Sequence, residues 1–205
     1  LITILGILLP SSLLVSLIQI LTIKNVRFPP KSSLIQSVCG VVLGALLLLY
    51  FSVPLSVYVV TAVAMLLAGG LRLSLKLKCK VYQFLSHPVL NFHLLNGVFH
   101  GFSNLGGILL VFRNNLGNDA KSQSLMNTAS VYLIYVLSQL SVLYLSGNYK
   151  IFINGLMVLP IVGVLSLVLG LRPITFFSAK VMDKALGIFF ISVSAVLAYK
   201  IIQML

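Results

Sequence analysis

The stretch HGFSNLGG, His100 to Gly107, sets a histidine, a serine, an asparagine and three glycines into eight positions of a strongly apolar run. With His93 and Asn96 upstream, the spacing i, i+3, i+7 puts His93, Asn96 and His100 on one helical face, and Ser103 or Asn104 continues the stripe. Gly106 and Gly107 end that face. Without β-carbons they let the backbone turn, and the helix that restarts after them begins with unpaired N–H groups. Such an end attracts anions, because free donors and the positive end of the helix dipole point to one place. The candidate solute-binding set is therefore His93, Asn96, His100, Gly101, Ser103, Asn104, Gly106 and Gly107.

Other chemistry fits these residues poorly. His93 and His100 have no third ligand of Cys, Asp or Glu type nearby, so no metal is expected. Ser103 lies one turn from His100, but no carboxylate or nucleophile elbow completes a triad. There is no P-loop to feed ATP hydrolysis and no pair of carboxylates for acid–base work, so no enzyme and no cofactor is expected. The competing interpretation is that small and polar residues simply pack helices, as they do in many membrane bundles. Packing is the expected role of Gly40 and Gly44.

The elements that must hold this stretch are apolar helices. The 205 residues are 60% hydrophobic and 8% charged, with a mean hydropathy of +1.14, more apolar side chain than one soluble core of this size can bury. Runs such as LITILGILLPSSLLVSLIQI have the length of a bilayer-spanning helix and lack the alternation of a membrane strand. Apolar runs bounded by Gly, Pro, Asn and charge predict helices near 1–22, 34–51, 55–71, 125–146, 153–171 and 185–203. Pro10 and Pro160 are expected to kink two of them. The expected fold class is an all-α integral membrane protein, a polytopic bundle.

A net charge of +12 invites a nucleic-acid reading, but the Lys and Arg residues fall in short loops between apolar runs, where they record membrane orientation. Cys39, in an apolar run, and Cys79, in the basic segment LRLSLKLKCK, suggest neither a disulfide nor a metal site.

Laying 1–40 over 124–163, an offset of 123, needs no gap; it matches Asn25 with Asn148, Arg27 with Lys150 and Gly40 with Gly163. The chain thus divides into a first repeat (1–71), a basic cytoplasmic loop (72–88) and a second repeat (89–205) whose glycine-rich segment precedes its three helices. The counterpart of that segment would precede Leu1, so the first copy is expected to lack its opening element.

Loop charge decides how residues 89–112 cross. As an ordinary span they would leave nine cationic residues on one side and five on the other. As a re-entrant segment that enters, breaks and returns, they leave only Lys150 and Lys200 opposite the other twelve, a far stronger positive-inside pattern. Each repeat then has three full crossings, so the two are inverted, an arrangement that places a substrate at the midplane beside broken helices.

NGVFHGFSNLGGILLVF, followed by LPIVGVLSLVLGLRP and ALGIFFISVSAVLAYKI, resembles the second half of the TauE/SafE family of sulfite exporters and related permeases. Residues 1–71 resemble its first half without the opening glycine-rich segment. Family members usually carry a further glycine around Asn104 and Ile108, which this chain lacks. The resemblance implies passage of small sulfur-containing anions, such as sulfite or sulfonates, across a bacterial plasma membrane. The partners expected are a small anionic substrate and the lipid bilayer; oligomeric state is left open. The alternative function is a non-catalytic structural subunit of a membrane complex, which would need neither an inverted repeat nor a polar break.

Overall fold

Prolines mark where helices begin. After the Pro29–Pro30 pair, the N–H groups of Ser33 and Leu34 both donate to the Pro30 carbonyl, at 3.0 and 3.3 Å, and start the ladder of α2 (Lys31–Tyr50). α3 (Pro54–Leu73) opens on a proline, whose missing N–H costs nothing at a helix start. The computed structural model describes residues 2–24, 26–50, 54–85, 87, 91–116, 121–147, 159, 161 and 179–204. Among them are eight helices and no strand. Besides α2 and α3 these are α1 (Ile2–Thr22), α4 (Leu75–Leu85), α5 (Phe92–Ser103), α6 (Gly106–Leu116), α7 (Lys121–Leu145) and α8 (Ala179–Met204).

The helices expected near 1–22, 34–51, 55–71, 125–146 and 185–203 are present with ends moved by up to six residues. The helix expected over 153–171 and the kink at Pro160 lie outside the described residues, as do the matched Asn25, Asn148, Lys150 and Gly163. One expectation is corrected: the basic loop 72–88 contains α4. Ser74 separates α4 from α3, and its hydroxyl accepts the Leu77 N–H at 3.3 Å, so a serine cap restarts a helix where charge alone suggested a loop. Among the described residues, Lys31–Tyr50 and Ser122–Leu145 are long and apolar enough to cross a membrane; Leu9–Thr22, Tyr58–Leu73 and Gly187–Gln203 are shorter apolar helices.

The chain forms two compact units, Leu1–Leu49 with His93–Ile174, and Tyr50–Phe92 with Thr175–Leu205. Neither coincides with a sequential half. Their boundaries, 49/50 and 174/175, are equivalent to within two residues under the 123-residue offset.

In the first unit α1 packs against α7. Gln123, at the start of α7, accepts the Arg27 N–H at 3.0 Å and donates to the Arg27 carbonyl at 2.6 Å, while Ser12 pairs with the Tyr132 hydroxyl. The chain leaving α1 therefore meets the beginning of α7, and the two helices run antiparallel. Moved by 123 positions, α1 falls on 125–145 and ends where α7 ends. α2 instead meets α5 through glycines. A β-carbon on Gly40 would strike the Leu94 carbonyl, one on Gly44 the Val98 carbonyl, and one on Gly101 the Val41 carbonyl, so the two backbones touch directly and rise in parallel.

The second unit joins α3 and α8. Ser194, past the middle of α8, donates to the Ala62 carbonyl midway along α3 at 2.8 Å, whereas Gly187, nearer the start of α8, sits against Leu73 at the end of α3. The Arg72 guanidinium lies 5.6 Å from the centre of the Phe190 ring. This pair is also antiparallel, and α3 moved by 123 positions falls on 177–196, within two residues of the start of α8.

Candidate functional site

α5 and α6 are twelve and eleven residues long, about 18 and 16 Å at 1.5 Å per residue, against roughly 30 Å of bilayer hydrocarbon. Neither crosses alone. They fold back on each other: a β-carbon on Gly106 would lie 2.7 Å from the Asn96 carbonyl oxygen, and Arg113 Nη1, near the end of α6, is 3.3 Å from His93 Nε2 at the start of α5. The pair is an antiparallel helical hairpin.

The turn lies at Asn104–Leu105, just ahead of the expected Gly106–Gly107. Asn104 adopts a φ of 60°, a left-handed conformation that asparagine tolerates better than most residues. Its N–H donates to the His100 carbonyl at 2.6 Å. The Ser103 hydroxyl donates to the Phe99 carbonyl at 2.7 Å and accepts the Leu105 N–H at 3.3 Å, closing the turn from inside. The glycines serve a different purpose. Gly106 brings α6 against His100 and Asn96, and Gly107 lies on the Tyr132 ring.

α7 packs along this hairpin and completes the site. His100 is fully buried between Tyr132, edge-on at 5.2 Å between ring centres, and Tyr135, tilted at 4.6 Å. Asn96 Nδ2 donates to the Tyr135 hydroxyl at 2.8 Å, with Ser37 of α2 beside the same hydroxyl. Gln139 Nε2 donates to the Gly101 carbonyl at 3.2 Å. Two helical stripes thus face each other: Asn96, His100 and Asn104 on α5 and the turn, and Tyr132, Tyr135 and Gln139 on α7.

Satisfaction of these groups is incomplete. Both ring nitrogens of His100 and the amide oxygens of Asn96, Asn104 and Gln139 are buried without a hydrogen-bond partner. Each such atom costs about 1–3 kcal/mol, and buried polar groups are so rarely left unpaired that a cluster of them calls for a partner such as water or a solute.

Of the eight residues expected at the site, Asn96, His100, Asn104 and the backbone at Gly106 and Gly107 come together. The other three are engaged elsewhere. His93 sits with Arg113 at the open end of the hairpin, Gly101 is packed against α2, and the Ser103 hydroxyl gives its hydrogen to its own helix. Tyr132, Tyr135 and Gln139 join the cluster without having been expected there, although they stand at i, i+3, i+7 inside an apolar run, the same signal that marks the α5 stripe. Among the described residues no group of three His, Cys, Asp or Glu side chains is placed to hold a metal.

Comparison with known proteins finds no matching family model, no significantly similar curated protein and no significantly similar solved structure. The likeness to the TauE/SafE permeases rests on the residues quoted above.

Proposed function

We propose that the chain is a multi-pass membrane permease, in which the α5–α6 hairpin enters the bilayer and returns, and a small oxyanion crosses at its turn. The observation that carries this reading is the buried, unpaired imidazole of His100 beside the N-terminus of α6 in a hairpin too short to span. In hydrocarbon such a group is costly and marks a solute path.

Three further observations support the membrane setting. Large apolar side chains point outward on α2 (Ile35, Leu43), α3 (Val63, Leu66) and α8 (Ile188, Ile202). In each unit the packed helices, α1 with α7 and α3 with α8, are pairs that the 123-residue offset superimposes, and they run antiparallel as an inverted repeat would have them. A returning hairpin divides the loop charge twelve against two, where a single crossing would divide it nine against five, and so fits the positive-inside pattern better. Inside-negative potential favours outward movement of an anion by about 2.3 kcal/mol per charge per 100 mV, so export needs no fuel domain. The sulfur-oxyanion class follows the family resemblance.

The test is flux in proteoliposomes of purified protein, with sulfite, sulfate, a sulfonate and a small carboxylate compared side by side. Saturable movement of at least one oxyanion above protein-free vesicles is the expected result; flux equal to protein-free vesicles for all four would favour the structural-subunit alternative.

A further inference from the structure

The unpaired atoms around His100 are not those of a pure anion trap. Three of them, the amide oxygens of Asn96, Asn104 and Gln139, are acceptors. The Gln139 orientation is fixed because its amide nitrogen already serves the Gly101 carbonyl, and the Asn96 nitrogen serves the Tyr135 hydroxyl. Donors are close by: α6 begins at Gly106, packed against His100 and Asn96, so its first-turn N–H groups adjoin this cluster, and the imidazole in its singly protonated form offers one donor and one acceptor. A solute carrying only acceptors satisfies the N–H groups and presses its charge against three carbonyl oxygens. One that also carries a hydrogen satisfies both sets.

Charge leads to the same conclusion. The groups facing His100 are the neutral side chains of Tyr132 and Tyr135 on α7, with Asn96 on its own helix and Ser37 behind Tyr135. The hairpin's cation, Arg113, is at the other end, beside His93. The α6 N-terminus supplies about half a positive charge, which offsets a larger share of a monoanion's charge than of a dianion's.

Resting on the permease reading above, we propose that the site takes a monoprotonated oxyanion, one that keeps an O–H to donate to the Asn96, Asn104 and Gln139 oxygens, and rejects the fully deprotonated dianion. The hydrogen is a recognition element. No bond to it is made or broken.

The experiment is initial flux into proteoliposomes at fixed total solute over roughly pH 6–8, a range in which histidines also titrate. Sulfite exchanges its last proton within this range, and sulfate remains a dianion throughout. The expected result is sulfite flux that follows the hydrogensulfite fraction, falling on the order of tenfold from the acid to the alkaline end, with sulfate flux near background. Gln139→Met, which at similar size removes one acceptor together with the hydrogen bond to the Gly101 carbonyl, is expected to raise half-saturating sulfite about tenfold in protein that still elutes as a single species. Sulfite and sulfate flux of equal size, or with the same pH profile, would overturn the proposal and leave the permease reading standing, since titration of the protein would then set the pH response. An absence of flux for every oxyanion at every pH would overturn both.

Discussion

Gly44→Leu is expected to abolish folded protein. At this position the α2 backbone rests on the Val98 carbonyl, with the Phe102 nitrogen 3.0 Å from where a β-carbon would begin, and main chain has no rotamer into which it can withdraw. Separating the helices by the width of a leucine would also part Gly40 from Gly97 and lift α5, with His100, off α2. The loss should exceed about 4 kcal/mol, the range of severe core overpacking, and show as aggregated material on size-exclusion chromatography in detergent. Gly70→Ala provides the control. The neighbour there is the flexible end of Leu77 at an ordinary 3.4 Å, so the variant should be neutral or gain up to roughly 1 kcal/mol from helix propensity. If Gly44→Leu elutes and melts like the parent, the direct backbone contact of α2 with α5 is wrong.

His100→Leu should separate function from stability. The imidazole is fully buried and neither nitrogen has a partner, so leucine, of similar volume, removes an unpaired polar burden of about 1–3 kcal/mol and keeps the packing between Tyr132 and Tyr135. The melting midpoint is expected to hold or rise. Oxyanion flux is expected to fall at least tenfold, because a donor at membrane depth has gone. Ser103→Ala should show the reverse pattern: its hydroxyl is engaged in closing the turn, so the expected cost is about 1 kcal/mol of stability with half-saturation little changed. Should His100→Leu destabilise the protein and leave flux per folded molecule intact, the histidine is packing.

How much of this was legible in the sequence differs from element to element. The helices announced themselves through apolar runs ended by proline, glycine and charge, and the glycine cluster announced a broken segment. Where the chain breaks was not legible. A glycine pair is the usual conformational choice, but here Asn104 takes the left-handed position and the glycines allow close approach, a distinction that depends on what lies across from each residue. The fate of Ser103 was hidden for a similar reason: a serine near a turn bonds its own backbone or a solute with equal ease. α4 was masked by its lysines, which dominate composition while Ser74 and the leucine spacing carry the helix. The α7 stripe stands at helical spacing, but tyrosine and glutamine in a long apolar helix fit plain helix packing as well as a site. That α1 packs on α7 and α3 on α8 was not legible, because an offset that superimposes two stretches does not say whether they touch.

That the α5–α6 hairpin enters and returns from one side is tested most directly by labelling with a membrane-impermeant maleimide in sealed vesicles of known orientation. In a Cys39→Ser background, Cys79, exposed on α4, reports the chain before the hairpin. With Cys79→Ser added, Ser122→Cys reports the chain after it and Ser146→Cys the far end of α7, both at exposed positions. The expected result is that Cys79 and Ser122→Cys react from the same, cytoplasmic, face, and Ser146→Cys from the opposite one. Reaction of Cys79 and Ser122→Cys from opposite faces would make residues 89–112 an ordinary crossing and contradict the re-entrant hairpin, the inverted repeat and the solute path built on them.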